Sequence, residues 1–206
     1  MRIFLAVLIA CLVCCVAVPP TTGGVLSHSQ CSLRWQAQSF PLEVVVDRRF
    51  SSEQQDALQE AILDWNEAVG SDVFTLQREI DWWDSEIQNP HTNTIYVLLA
   101  DIPDDPPSVI QGLSIVHDDS CYIDRALVFF DVAVPDGDAM LVFMHELGHT
   151  LGLAHDPDWQ PSIMYPYANT SGGRILMDDI NFVRWETTHD YQGNSSLPAS
   201  NAVTFD

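Results

Sequence analysis

Apolar residues along the chain recur with two different periods, and the two periods predict its elements. Leu42 to Val46 is a β-branched run suited to a buried strand, and Phe74–Leu76, Thr94–Ala100 and Leu127–Val132 predict further strands. Between the first two, Ala57, Leu58, Ala61, Ile62, Trp65, Ala68 and Val69 recur at helical spacing. Ser51 and Gln54 ahead of this run have the spacing of a capping box, and Gly70 after it offers a left-handed stop. Met140, Met144, Leu147 and Leu151 mark one face of a second helix, with Asp138 as its expected cap and Gly152 as its end. A shorter helix is expected over Met177–Glu186. Loops rich in Asp, Asn and Pro separate the strands, and Pro103, Pro106 and Pro107 mark an exposed one.

The two ends of the chain carry different patterns. Arg2 followed by the apolar stretch Ile3–Val18 predicts an export signal over residues 1–17, too short for a membrane span and cut near Ala17. The run Leu8-Ile9-Ala10-Cys11 also resembles a bacterial lipobox, so the alternative to full secretion is a lipoprotein acylated at Cys11 and held at the cell envelope. Residues 18–34, with Pro19, Pro20, Gly23 and Gly24, are expected to be a flexible leader, and structure is expected to begin near Trp35. One compact unit over 35–190 and a polar tail over 191–206 complete the organisation. Cleavage near Ala17 leaves Cys31 and Cys121, an even pair that suggests one disulfide in an oxidising compartment. Two buried free thiols, or Cys31 as a latency ligand, are the other readings of that pair.

Composition narrows the function. Of 206 residues, 47% are hydrophobic and 10% aromatic, as in a globular domain able to bury a core. Against 29 acids stand 8 basic residues, giving a formal net charge of -21 that repels phosphate backbones and anionic headgroups. Nucleic acid is thereby excluded as a partner, a membrane enters only through acylation at Cys11, and a monomer is expected. Asp101, Asp104, Asp105, Asp118 and Asp119 offer oxygen ligands for Ca2+, although their spacing matches no defined calcium loop.

The second helix carries the chemistry. In His145-Glu146-Leu147-Gly148-His149 the histidines are four apart and project from one side of a helix, as two ligands of one Zn2+ ion must. A catalytic zinc needs a third protein ligand and an open position. Gly152 falls three residues after His149 and His155 six after it, so a helix-ending turn at Gly152 brings His155 back towards the metal. Glu146, beside a ligand but not one itself, is placed to take a proton from the attacking water and pass it to a leaving amine.

His145–Asp156 resembles the metzincin zinc-binding consensus, and Ser162-Ile163-Met164-Tyr165-Pro166 resembles its Met-turn, with Met164 as the apolar base beneath the metal. The order of the flanking elements, through Asp178-Asp179 in a late helix, is matrixin-like. The resemblance implies an α/β (α+β) zincin-like fold: a twisted mixed five-stranded sheet with three helices and a cleft between upper and lower parts. It implies a protein or peptide substrate lying extended along an edge strand at Gly112, Leu113, Ser114, Ile115 and Val116, with a side-chain pocket near Pro166–Ala168. Tyr165 directly follows Met164, so no tyrosine ligand is implied, and the spacing for a second zinc site is missing. His117, His91, His28 and His189 are therefore read as ordinary histidines. The alternative to a working peptidase is a zinc-stabilised binding or adhesion module that has lost turnover.

Overall fold

The computed structural model describes residues 27–28, 31–81, 84–102, 111–119, 121–166 and 173–189. The expected signal segment, Cys11, the loop prolines from Pro103 to Pro107 and the tail lie outside the described residues.

A two-residue ribbon comes first, β1 (Ser27–His28) pairing antiparallel with β2 (Cys31–Ser32). The main body then runs β3 (Leu42–Asp47), α1 (Ser52–Val69), β4 (Phe74–Ile80), the one-turn α2 (Ser85–Gln88), β5 (Thr94–Ala100), β6 (Gly112–Asp119), β7 (Tyr122–Asp131), α3 (Asp136–Thr150) and α4 (Met177–Thr188). Five strands form one mixed sheet in the order β4-β3-β5-β7-β6. The β4/β3, β3/β5 and β5/β7 pairs are parallel, and β6 closes one edge antiparallel to β7. The five-stranded sheet and three long helices agree with the expected fold class.

The inner strands β3 and β5 are buried on both faces, as parallel strands covered by helices should be. The larger core fills the space between the sheet and helices α1 and α3, and centres on Trp35, Trp65, Phe74, Phe130 and Phe143. On the opposite face, Val45, Ile80, Tyr96 and Leu98 make a smaller cluster under Ile87 of α2. Both bonds of the predicted capping box form at the start of α1: the Gln54 amide donates to Ser51 Oγ at 3.1 Å, and the Ser51 amide to Gln54 Oε1 at 3.1 Å. Gly70 ends α1 with φ +79°.

Several boundaries differ from the sequence reading, each for a physical reason. β7 begins at Tyr122 rather than Leu127, because Asp124 and Arg125 interrupt the apolar run while the backbone pairs with β6 from Tyr122 and with β5 from Arg125. β4 continues to Ile80 through residues whose side chains are exposed. Helix α3 starts at Asp136 with Pro135 as its cap residue, so Asp138 lies within the first turn, where its charge suits the helix N-terminus. The ordered fold also starts before Trp35. Leu33 is in the core, and Arg34 bridges to Tyr122, so the last part of the expected leader is built into the body.

Two tryptophans fix the position of α3. The Trp65 indole of α1 donates to the Met144 carbonyl at 3.0 Å, and the Trp35 indole donates to the Thr150 carbonyl at 2.7 Å. The second of these satisfies one of the carbonyls that a helix leaves open at its C-terminus. Helix α4 is tied in from the other side, where Arg184 Nε donates to the Val69 carbonyl at 2.6 Å and Nη2 to that of Ala68 at 3.2 Å.

Glu186, also on α4, is fully buried, and neither carboxyl oxygen has a hydrogen bond of good geometry. Burial pushes its carboxyl well above the ordinary range; the Trp35 amide and the Arg34 charge pull the other way without offsetting it. The protonated form therefore favours the folded state. Its contribution is full below about pH 4, the value of an unfolded glutamate, and is lost as pH rises through the folded-state value. Glu186→Gln is expected to match wild type in stability near pH 4 and exceed it increasingly towards neutral pH, as measured by urea unfolding across that range. Parallel pH profiles for the two proteins would contradict this account.

Candidate active site

Helix α3 presents His145 and His149 one turn apart on the same side. After Thr150 the chain turns at Gly152, whose φ of +86° lies in the region that L side chains rarely adopt. An added Cβ there would stand 2.5 Å from the Leu33 carbonyl oxygen, so the position excludes a side chain on both counts. The turn returns His155 to the first two histidines. Their Nε2 atoms converge: His149 to His145 is 3.1 Å, His149 to His155 is 3.2 Å, and His145 to His155 is 3.3 Å. A tetrahedral zinc ion with nitrogen ligands at about 2.0–2.1 Å sets those nitrogens about 3.3–3.4 Å apart, so this donor set fits one.

Backbone carbonyls orient the rings from behind. His145 Nδ1 lies 2.7 Å from the Ile163 carbonyl and His149 Nδ1 lies 2.8 Å from that of Leu153. A carbonyl only accepts, so each Nδ1 carries the hydrogen and each Nε2 lone pair is left for a metal. Burial lowers the His145 pKa to about 4, with the neighbouring His155 acting in the same direction. It holds His149 well below its ordinary value, reinforced by His145 and His155. The rings are thus neutral at physiological pH, as metal ligation requires. His155 is the exposed member of the three.

The turn Ser162–Tyr165 packs beneath the cluster. Met164 is buried, its amide donates to Ser162 Oγ at 3.0 Å, and its carbonyl accepts from the Asp156 amide at 2.8 Å. Its sulfur sits over the Cα of Gly148, where a Cβ would collide with it. The glycine inside the histidine pair therefore lets helix and turn approach. That contact was not anticipated, although a small residue at the helix position facing the turn is a signal visible in the sequence.

Glu146 is not part of the histidine group and is buried against β6. Its Oε2 lies 2.6 Å from Ser114 Oγ, which is also 3.0 Å from the Glu146 carbonyl. Burial raises its carboxyl to about 7, and the Ser114 hydrogen bond pulls the other way. Gly112–Val116 lies on the sheet edge as expected, within β6. Ser114 differs from its expected role in one respect: its side chain meets Glu146.

Other sequence candidates stay apart from this cluster. Among the described residues, His145, His149 and His155 make up the one group of three or more metal-competent side chains. His117 is on β6 opposite Arg125 rather than in a loop, its pKa lowered by burial and by that arginine. Asp104, Asp105 and the side chain of Asp119 among the calcium candidates lie outside what is described, and Asp101 and Asp118 join no such group. Pro166 is described, while residues 167 and 168 of the expected side-chain pocket are not.

Comparison with known proteins agrees with this arrangement. The family model for matrixin peptidases matches residues 134–185, from the start of α3 into α4. Among solved structures, archaemetzincin from Methanopyrus kandleri is similar in fold, with 12% identity over 72% of this chain and 96% of that chain and a TM-score of 0.50. High choriolytic enzyme 1, a hatching-enzyme zinc protease from the medaka fish Oryzias latipes, matches at 13% identity over 64% of this chain with a TM-score of 0.39. The chain spans about half of that enzyme, 55% of its length. No curated protein matches the sequence. Fold and histidine cluster together resemble those of metzincin zinc metallopeptidases. The segment from the active-site helix through the methionine turn into the last helix is the part that resembles matrixin peptidases.

The turn at Gly152 yields a direct test. Gly152→Ala forces a left-handed alanine against the Leu33 carbonyl and is expected to cost about 1–3 kcal/mol in denaturant unfolding. Because His155 follows the turn, zinc affinity in chelator competition should fall as well.

Proposed function

We propose that the protein is a secreted zinc-dependent endopeptidase in which His145, His149 and His155 hold the metal and Glu146 is the general base. The observation that carries this reading is the convergence of three neutral imidazoles beside a buried carboxyl that is not itself part of the ligand group. A closed structural zinc would have no use for such a carboxyl, and three protein ligands leave a fourth position open. Zinc bound there supplies Lewis-acid chemistry, polarising the scissile carbonyl and making a water acidic.

The chain's own residues do the rest. Glu146 takes a proton from the attacking water as the carbon–oxygen bond forms, and delivers it to the amine nitrogen as the peptide bond breaks. The buried carboxyl, raised towards neutral, suits a group that must both accept and return a proton. An extended peptide has a place to lie, because β6 is the edge strand of the sheet among the described residues and an edge strand can take strand addition. The export signal over residues 1–17, with acylation at Cys11 as its alternative, places this activity outside the cell or at its envelope. A Cys31–Cys121 disulfide belongs to the same reading. It is supported by the backbone, since the Arg34 amide donates to the Cys121 carbonyl at 3.2 Å and the Ile123 amide to the Arg34 carbonyl at 2.7 Å.

Two measurements test this function. Zinc content and cleavage of a mixed peptide library, run on wild type, Glu146→Gln and His155→Ala, should give one zinc per chain and cleavage for wild type. Glu146→Gln should keep zinc and lose at least about a hundredfold in rate, whereas His155→Ala should lose both. Full activity in Glu146→Gln would overturn the assigned base. Thiol alkylation of the mature domain should label no cysteine without reductant and both with it; equal labelling in the two conditions would refute the bridge.

A further inference from the structure

Glu146 is reached from the sheet as well as from its own helix. Along β6 alternate side chains face opposite sides, so Gly112 and Ser114 share the side towards α3. Ser114 Oγ lies 2.6 Å from Glu146 Oε2, short enough for a hydroxyl donating to a carboxylate. A Cβ on Gly112 would stand 2.5 Å from Glu146 Oε1 and 2.7 Å from its Cγ and Cδ. One carboxyl oxygen is therefore held by a hydroxyl, while the other lies over a residue with no side chain. A glutamate has three side-chain torsions, and from a helix it could swing through a wide arc. The hydrogen bond at one oxygen, with the strand close behind the other, restricts that freedom.

We propose that Ser114 is a positioning residue for Glu146: its hydroxyl fixes the carboxylate in the space that Gly112 leaves open, setting the distance from base to attacking water. This rests on the reading of Glu146 as the base. It gives the edge strand two separate tasks. The backbone edge of β6 pairs with a peptide in the proposed function, while its inward side chains aim the base. Ser114 thus acts on turnover rather than on substrate grip, because its hydroxyl is turned to Glu146 and away from the open edge.

Steady-state kinetics of the zinc-loaded protein, with crystals of the same samples, distinguish these roles. Ser114→Ala is expected to lower kcat by about ten- to a hundredfold, as misplacement of a catalytic group does. KM, zinc content and thermal midpoint should stay near wild type, and Ser114→Thr, which keeps a hydroxyl, should recover most of kcat. A raised KM with unchanged kcat would assign Ser114 to substrate grip and overturn the proposal, as would no change in either constant. Crystals supply a readout independent of turnover, and independent of whether the alanine variant folds. In zinc-loaded wild type, Ser114 Oγ should stay within hydrogen-bond distance of the Glu146 carboxylate, and a hydroxyl turned away would overturn the proposal. Glu146→Gln in the same assay separates the two levels: full activity there refutes the base, whereas loss there with an unaffected Ser114→Ala refutes only the positioning.

Discussion

Three imidazole nitrogens held about three ångströms apart form an arrangement that no histidine-containing chain adopts without outside support. If charged, the rings would repel one another; when neutral, each has a choice of tautomer, and only one leaves the right nitrogen free. The protein meets both requirements by burial. Burial makes protonation unfavourable at His145 and His149, and the carbonyls of Ile163 and Leu153 accept from the opposite ring nitrogens. Neither carbonyl belongs to a regular element. Leu153 follows the turn that delivers His155 and Ile163 lies in the methionine turn, so each of the two turns sets the tautomer of one ring.

Much of the remaining structure serves to hold α3 where this can happen. The indoles of Trp35 and Trp65 anchor its backbone from two different parts of the chain, one just ahead of the sheet and one on α1. Gly148 allows Met164 to seat directly against the helix, and Gly152 allows the chain to leave it sharply beside Leu33. A side chain at either glycine would push apart surfaces whose contact fixes the histidines. Tight packing makes this coupling rigid, since interiors at near-crystalline density leave little room to absorb a displaced atom.

The edge strand β6 shows how one element can face two ways. Its partner β7 lies on one flank, and among the described residues its other flank is the end of the sheet. Period-two alternation then directs Gly112 and Ser114 inward to Glu146. In the proposed function, substrate pairing and aiming of the base are thus combined in a few residues, one through backbone and the other through side chain.

The sequence by itself determined the elements that have strong local periodicity and the chemistry that has fixed spacing. The capping box of α1, the buried runs of β3 and β5 and the histidine spacing of α3 all depend on neighbours within a turn or a few residues, so they are legible without a fold. Gly152 was legible for the same reason, because a left-handed turn is a local demand. Where local pattern was broken, it misled. Asp124 and Arg125 hid the first half of β7, and the proline- and glycine-rich stretch before Trp35 concealed Leu33, a core residue. Tertiary structure alone decided which carbonyls hold His145 and His149, that Met164 rests on Gly148, and that Ser114 meets Glu146 across 32 residues of sequence. Those contacts join segments far apart in the chain, and nothing in the sequence around either partner specifies the other. They exist because the sheet, α1 and α3 pack around a common core, which brings together side chains that no local pattern relates.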